Sequence, residues 1–229
     1  MKKITGLDES LNYVPTLRSR NLTNLASDGN GLFNNKIPPK EFVNKLIEII
    51  KSERDVGLRR IVERIDGNCP ESFLVPADEC KLQLKSLNTK IRKSLETSIQ
   101  RVTDFQTKTL PKSWENATGE FGEKVSPIES IAAYVPGGTA PLLSTAIMTI
   151  TPAVVAGVNR IVVITPSKNP NLIGCATLAG ADEIYTIGGA QAIATMAYGT
   201  ESIEPVDFIC GPGNIWVTEA KKAVFGDVG

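Results

Sequence analysis

The chain has 229 residues, of which 41% are hydrophobic and 22% are charged, a composition typical of globular proteins with a sizeable core. Its 25 basic and 25 acidic residues balance, so the overall charge favours neither nucleic acid nor a membrane as a partner. No apolar run approaches the roughly 20 residues that span a bilayer, and no signal-like apolar segment follows Met1. We therefore expect a cytoplasmic protein.

Two further features of the composition restrict the chemistry. The chain contains no histidine, so a reaction that needs an imidazole base or metal ligand must obtain it from elsewhere. The four cysteines lack the C-x-x-C spacing of zinc knuckles and redox pairs, and they are expected to be separate reduced thiols. They are Cys69, Cys80, Cys175 and Cys210.

The first half of the chain is predicted to be an arm followed by a helical lobe. Residues 1–39 are polar and rich in Asn, Ser and Gly, which is typical of a segment that is loosely folded unless it docks. Residues 40–126 form the mainly helical lobe. Its apolar stripes predict one helix after Pro38-Pro39, a second that ends at Asp66-Gly67, and a third over about 88–108. The stripe of the third helix, expected to face a core, is Ile91, Leu95, Ile99, Val102 and Phe105.

Residues 110–127 are interpreted as a polar connector, and beyond it short β-rich runs alternate with helical segments. The predicted strands are 128–134, 161–165, 183–187 and 206–209, and the predicted helices lie near 142–157, 171–179, 190–198 and 214–225. This alternation indicates an α/β fold with a parallel sheet. We place the domain boundary near residue 126, so that 127–229 form the α/β domain.

Three glycine-bearing loops follow predicted strands, at 134–139, 187–191 and 210–214. In a parallel sheet such loops lie at the carboxyl ends of the strands, where ligands bind, and helix N-termini behind them favour anions. The glycines either form a cradle for the phosphates of a dinucleotide or simply make tight strand–helix turns. Neither G-x-G-x-x-G nor G-x-x-x-x-G-K-[ST] is present.

Three side chains on these loops are candidate ligand contacts: Tyr134, Gln191 and Asn214. Tyr134 is placed to stack on a base, to bond a ribose, or merely to fill the sheet edge. Gln191 and Asn214 each stand in a first helical turn, where an amide can face a ligand, although Asn is also an ordinary helix cap there. The carboxylates of Glu129, Asp182 and Glu183 are interpreted as solvated.

At these loops the sequence resembles histidinol dehydrogenases. The blocks that carry the resemblance are Tyr134-Val135-Pro136-Gly137-Gly138, residues 188–201 and Gly211-Pro212-Gly213-Asn214, with Thr218-Glu219-Ala220-Lys221 after them. The resemblance implies NAD-dependent oxidation of L-histidinol to L-histidine in two steps. It implies an intertwined homodimer built from incomplete Rossmann-like domains, of which 127–229 would bind NAD and 40–126 would begin a discontinuous α/β domain. It also implies that Tyr134, Gln191 and Asn214 contact NAD.

The resemblance does not include the residues that carry out the family's reaction. The zinc ligands and the catalytic Glu-His pair of the family match no position here, because they follow the segment that ends at Phe225-Gly226-Asp227-Val228-Gly229. We therefore expect the chain to be the NAD-binding half of a truncated enzyme, inactive alone, with a histidinol-like substrate. The alternatives are a non-catalytic nucleotide-binding or interaction module, and one half of a split enzyme completed by a C-terminal-half partner.

Overall fold

The computed structural model of the chain describes residues 26–137 and 142–229. The first half of the described chain contains α1 (Pro39–Asp66), α2 (Ala77–Ser86), α3 (Thr89–Thr109), β1 (Trp114–Glu115) and β2 (Gly122–Glu123). The second half alternates strands and helices: β3 (Ser130–Tyr134), α4 (Leu143–Ala156), β4 (Arg160–Ile164), α5 (Pro170–Ala179), β5 (Glu183–Tyr185), α6 (Gly189–Tyr198), β6 (Phe208–Cys210) and α7 (Ile215–Val224).

The alternating half builds a four-stranded, all-parallel sheet in the order β5-β4-β3-β6, which confirms the predicted α/β class. Parallel strands need a crossover between them, and α4, α5 and α6 supply the three crossovers, while α7 follows the last strand. After β5 the chain crosses to the far side of β3 before forming β6. The strand order therefore reverses between β3 and β6, and open α/β sheets bind ligands at such a point.

Helices cover both faces of this sheet, and each face has its own core. On one face α1, α6 and α7 pack over Ala132 and Ile164, and on the other face α2 to α5 pack over Ile131 and Val163. Neighbouring strand residues alternate between the two cores because successive side chains of a strand point to opposite faces. The domain boundary near residue 126 stays a prediction.

The first two predicted helices follow one another within α1, separated by a sharp break at Arg54. Arg54 has φ 51° and ψ −127°, a conformation that costs a non-glycine residue energy. Its guanidinium donates a 2.9 Å hydrogen bond to the carbonyl of Tyr198, and the Glu201 carboxylate accepts the Asp55 N–H at 2.9 Å. These bonds to the end of α6 hold the break, so that α1 finishes at Asp66 beside the carboxyl ends of the strands. Gly67 ends it in the left-handed conformation, where the sequence predicts the stop.

Two elements of the first half were not predicted from the sequence. The first is α2, which packs on α5. The connector contains the β1–β2 hairpin, in which the rings of Trp114 and Phe121 lie 6.2 Å apart. The apolar stripe of α3 faces a core along its middle, where Leu95 is buried and Ile99 and Val102 pack against it, but Phe105 at its end is 63% exposed. Only part of α3 is covered by α4, and periodicity in a helix cannot show how far its covering partner extends.

The described part of the predicted arm, residues 26–38, docks on α1, where Leu32, Phe33 and Ile37 pack against the core. Residues 1–25 lie outside the described residues. All four cysteines are free thiols, as expected, and burial raises the pKa of Cys175 to about 12. Across the described ranges, no helix has the length and apolar character needed to cross a membrane.

The interpretation of Glu183 as a solvated carboxylate is wrong. Its two oxygens accept hydrogen bonds from Arg160 at 2.7 and 3.2 Å, and Oε2 also accepts one from the Tyr185 hydroxyl at 2.7 Å. The hydrogen bonds from Arg160 hold the pKa of Glu183 below its usual value. Arg160 also donates to the carbonyl of Pro205, so this partly buried pair joins the starts of β4 and β5 to the chain before β6.

We expect Glu183→Gln to lower the free energy of unfolding by about 1.5–3 kcal/mol at pH 7, because Arg160 loses a charged acceptor while remaining partly buried. A carboxylate with a lowered folded pKa stabilises above its unfolded pKa, and the contribution disappears as the pH falls through the folded value. The wild-type and variant stabilities should therefore converge as the pH falls through the folded pKa of Glu183, which lies below its usual value. Urea denaturation at a series of pH values measures this. Glu96→Gln removes an exposed ion pair with Arg92 and should cost about 0.5 kcal/mol or less; equal effects would contradict the assigned role of Glu183.

Candidate functional site

A cavity of about 450 Å³ lies at the carboxyl ends of the strands, beside the point where the strand order reverses. Such a volume is in the range of small-molecule sites. Tyr134, Gln191 and Asn214, the three residues selected from the sequence, all line it. The full lining is Ser27, Gly29, Asn30, Phe42, Ile65, Asp66, Tyr134, Pro136, Gly137, Pro166, Gly188, Gly189, Ala190, Gln191, Asn214 and Trp216.

The loops that bound this cavity are packed against one another through glycine. A Cβ at Gly137 would lie 2.6 Å from the ring of Pro166, and a Cβ at Gly188 would meet the same ring at 2.6 Å. The loops after β3 and β5 therefore both press on the loop after β4. These glycines allow the loops to pack closely against one another, in addition to the tight turns considered from the sequence. Gly138 and Thr139 of the first loop lie outside the described residues.

Tyr134 is the last residue of β3, and its ring belongs to the core between the sheet and α6. The phenolic oxygen accepts a 3.2 Å hydrogen bond from the Gly189 N–H at the start of α6. Burial raises the pKa of the phenol above its usual value, so the hydroxyl keeps its proton at neutral pH and can donate it. The ring thus fills space at the end of β3, an interior strand, so the packing role considered from the sequence is present beside the cavity-facing one.

Gln191 is the third residue of α6 and only 2% exposed. Its amide folds back over the helix start, since a Cβ on Gly189 would lie 2.7 Å from the Gln191 Oε1. The N-cap residue, Gly188, supplies no side-chain hydrogen bond to the first turn. The Gly189 N–H is bonded to Tyr134, and the N–H groups that follow it bring the positive end of the helix dipole to the cavity.

Asn214 is the N-cap of α7, and its Oδ1 accepts a 3.1 Å hydrogen bond from the Val217 N–H. The ordinary capping role considered from the sequence is therefore present. Among the described residues its Nδ2 donates no hydrogen bond, and the residue is exposed at the cavity. One side chain can thus cap α7 through its oxygen and face a ligand through its nitrogen.

Two features of the lining were not predicted from the sequence. The rings of Phe42 and Trp216, from α1 and α7, lie 5.0 Å apart and form an apolar wall. Asp66, recognised only as a helix end, is the one carboxylate among the described residues of the lining, and none of those residues is Lys or Arg. Partial burial raises the pKa of the Asp66 carboxyl, and the neighbouring Gln191 amide opposes this. Trp216 could have been predicted as a lining residue from the sequence, because it stands two residues after Asn214 in the first turn of a helix.

A second cavity, of about 640 Å³, lies beside β6 and is lined by Phe208, Pro212, Phe225 and Gly229 among others. It is more open and apolar than the first, and it contains none of the three candidate residues. Size alone does not identify a ligand site, whereas convergent polar groups on strand-end loops do. We therefore take the smaller cavity as the candidate site.

No metal centre is present in the described part of the chain, where no three Cys, Asp or Glu side chains gather in a way that could hold an ion. The sequence has no histidine to complete one.

Comparison with known proteins identifies one family. The family model for histidinol dehydrogenase matches residues 34–229. Histidinol dehydrogenase of Methanothermobacter thermautotrophicus is 42% identical over 194 residues, which cover 81% of this chain and 46% of that protein. The enzyme of Methanococcus maripaludis is 38% identical over 237 residues, covering 100% of this chain and 53% of its own length. The chain thus spans about half the length of the curated relatives it matches.

The fold is similar to a solved structure of the same family. The crystal structure of histidinol dehydrogenase from Elizabethkingia anophelis superposes with a TM-score of 0.77 at 31% identity. The match covers 85% of this chain and 47% of that one. The sequence comparison and the fold comparison therefore both indicate the histidinol dehydrogenase family.

Proposed function

The chain belongs to the histidinol dehydrogenase family, and from this premise we propose that the cavity at the strand ends binds NAD through Tyr134, Gln191 and Asn214. The observation that carries the proposal is convergence: three side chains from three separate loops line one cavity where the strand order reverses. These are the three residues that are predicted both from their positions on the strand-end loops and from the family resemblance.

The lining has the chemistry that a dinucleotide needs. The open N-terminus of α6 offers N–H groups and positive potential to a pyrophosphate. The Phe42–Trp216 wall suits a flat aromatic ring, and the protonated Tyr134 hydroxyl and the Asn214 Nδ2 are donors for sugar or amide oxygens. NAD, when bound, supplies the hydride acceptor of an oxidation.

The zinc ion that the resemblance implies does not fit the residues present. The sequence has no histidine, and no metal-binding cluster exists among the described residues. Zinc sites in proteins are built from Cys, His and carboxylate ligands brought to one point. We therefore assign this chain the cofactor-binding part of histidinol oxidation, and we propose that the 229 residues do not oxidise histidinol on their own. The homodimer that the resemblance implies stays a prediction.

We expect the chain to bind NAD without turning it over. The two tryptophans provide a direct readout, because Trp216 lines the cavity and Trp114 lies in the distant hairpin. In a Trp114→Phe variant, NAD should quench the fluorescence of Trp216 with a dissociation constant on the order of 10–1000 µM. Adding Asn214→Ala should weaken binding about fivefold, since one hydrogen bond to the ligand is lost.

The same preparation is then incubated with histidinol, NAD and zinc, with and without a polypeptide carrying the remaining half of a relative. NADH formation by the chain alone would contradict the assigned division of function. Formation only with the second polypeptide would identify half of a split enzyme. A folded chain that shows neither quenching nor heat on titration with NAD would refute the cofactor site and favour an interaction module.

A further inference from the structure

We infer that Asp66 selects the cofactor, by accepting a hydrogen bond from a ribose hydroxyl and by repelling a nucleotide that carries a phosphate on that ribose. The inference rests on the proposed function, since it concerns the same cavity. It goes further by assigning the choice between a free ribose diol and a 2′-phosphorylated one to a single side chain.

The inference is supported first by the position of Asp66 in the cavity. The residue ends α1 and lines the cavity together with Gln191 and Tyr134. It is close enough to both for its charge to raise the pKa of Tyr134 and for the Gln191 amide to lower its own pKa. One corner of the cavity therefore combines a carboxylate, an amide and a phenol. A carboxylate accepts hydrogen bonds only, and two neighbouring hydroxyls are natural donors to it.

The inference is supported second by the charges of the lining residues. None of the described lining residues is Lys or Arg, and Asp66 is the one carboxylate among them. A 2′-phosphate, with a charge of about −1.5 to −2, would approach a carboxylate of like sign with no cation among the described lining residues to neutralise it. A free hydroxyl meets no such penalty.

A structural role does not account for Asp66. It stands at the C-terminus of α1, where the helix dipole disfavours a negative charge. In the described part of the chain it takes part in no ion pair, and the one side chain that lowers its pKa by hydrogen bonding is Gln191, which also lines the cavity. A carboxylate in this place opposes the stability of its own helix, and its neighbours Gln191 and Tyr134 belong to the cavity lining.

Calorimetric titration of the full chain with NAD and with NADP tests the inference. We expect the wild type to prefer NAD by at least about tenfold, and Asp66→Asn to lower that ratio at least about fivefold, mainly by losing NAD affinity. Asp66→Glu keeps the charge and should retain most of the preference. Asp78→Asn, an exposed aspartate on α2, is the matched control and should leave both affinities unchanged.

The thermal midpoint of unfolding separates this role from a structural one. Asp66→Asn removes a charge that the helix dipole disfavours, so its midpoint should equal or exceed that of the wild type. A lower midpoint, or equal weakening of NAD and NADP, would overturn the inference. A wild type that binds both nucleotides equally would also overturn it while leaving the cofactor site intact. A wild type that binds neither would overturn the proposed function itself, and the role of Asp66 with it.

Discussion

Gly211→Ala is expected to lower the free energy of unfolding by at least about 3 kcal/mol and to abolish NAD binding at accessible concentrations. Gly211 has φ +108°, which alanine adopts only under strain, and a Cβ there would collide with the carbonyl oxygen of Tyr134. The loop after β6 must then move away from β3. Since that loop carries Asn214 and β3 ends at Tyr134, the same movement separates two of the three proposed cofactor contacts. Urea denaturation measures the first effect and calorimetry with NAD the second.

Gly226 provides a matched control for the backbone strain. It has φ +103°, nearly the same as Gly211, yet a Cβ there would meet no atom within 4 Å. Gly226→Ala should therefore cost about 1 kcal/mol, from backbone strain alone. The difference between the two variants isolates the collision with Tyr134. Equal losses of stability would show that the close approach of the two loops is unimportant.

Gln191→Met is expected to weaken NAD binding at least about tenfold while the fold persists. Methionine has nearly the volume of glutamine, so the buried position stays filled and the free energy of unfolding should fall by less than about 1.5 kcal/mol. What is lost is the amide at the start of α6, beside Asp66 and over Gly189. Calorimetric titration with NAD gives the affinity, and circular dichroism establishes that the helices remain.

Gln100→Met makes the same chemical change on the exposed surface of α3, where the amide bonds only Asp104. It should leave the affinity for NAD unchanged. If Gln191→Met binds NAD as tightly as the Gln100 variant does, the amide of Gln191 takes no part in the site. Its burial would then have to be explained by packing at the helix start alone.

The parallel sheet could be predicted because its signals are local. Each of the four strands and each of the four helices of residues 127–229 appears in the sequence as a short β-rich run or a small-residue helix, and the observed elements differ from the predicted bounds by only a few residues. Tyr134, Gln191 and Asn214 could be selected by the same reasoning. In any parallel sheet the residues after the strands share one edge, whatever the strand order.

The elements that escaped prediction depend on distant partners. The charged sequence of α2 gives a weak apolar pattern, and the helix lies on α5, which is far along the chain. Glu183 appears solvated until the register of β4 and β5 brings Arg160 beside it. Whether a carboxylate is paired or free is decided by tertiary contacts, so the sequence alone assigned it wrongly.

The sequence by itself determined the α/β class, the carboxyl-end location of the site and the three candidate contacts, because hydrophobic periodicity and turn chemistry act over a few residues. Only the tertiary structure decided that α1 delivers Asp66 to that site. It does so through the break at Arg54, whose bonds to the end of α6 join residues more than 140 positions apart. Such bonds form between surfaces that meet only after the chain has folded, and no local pattern records them.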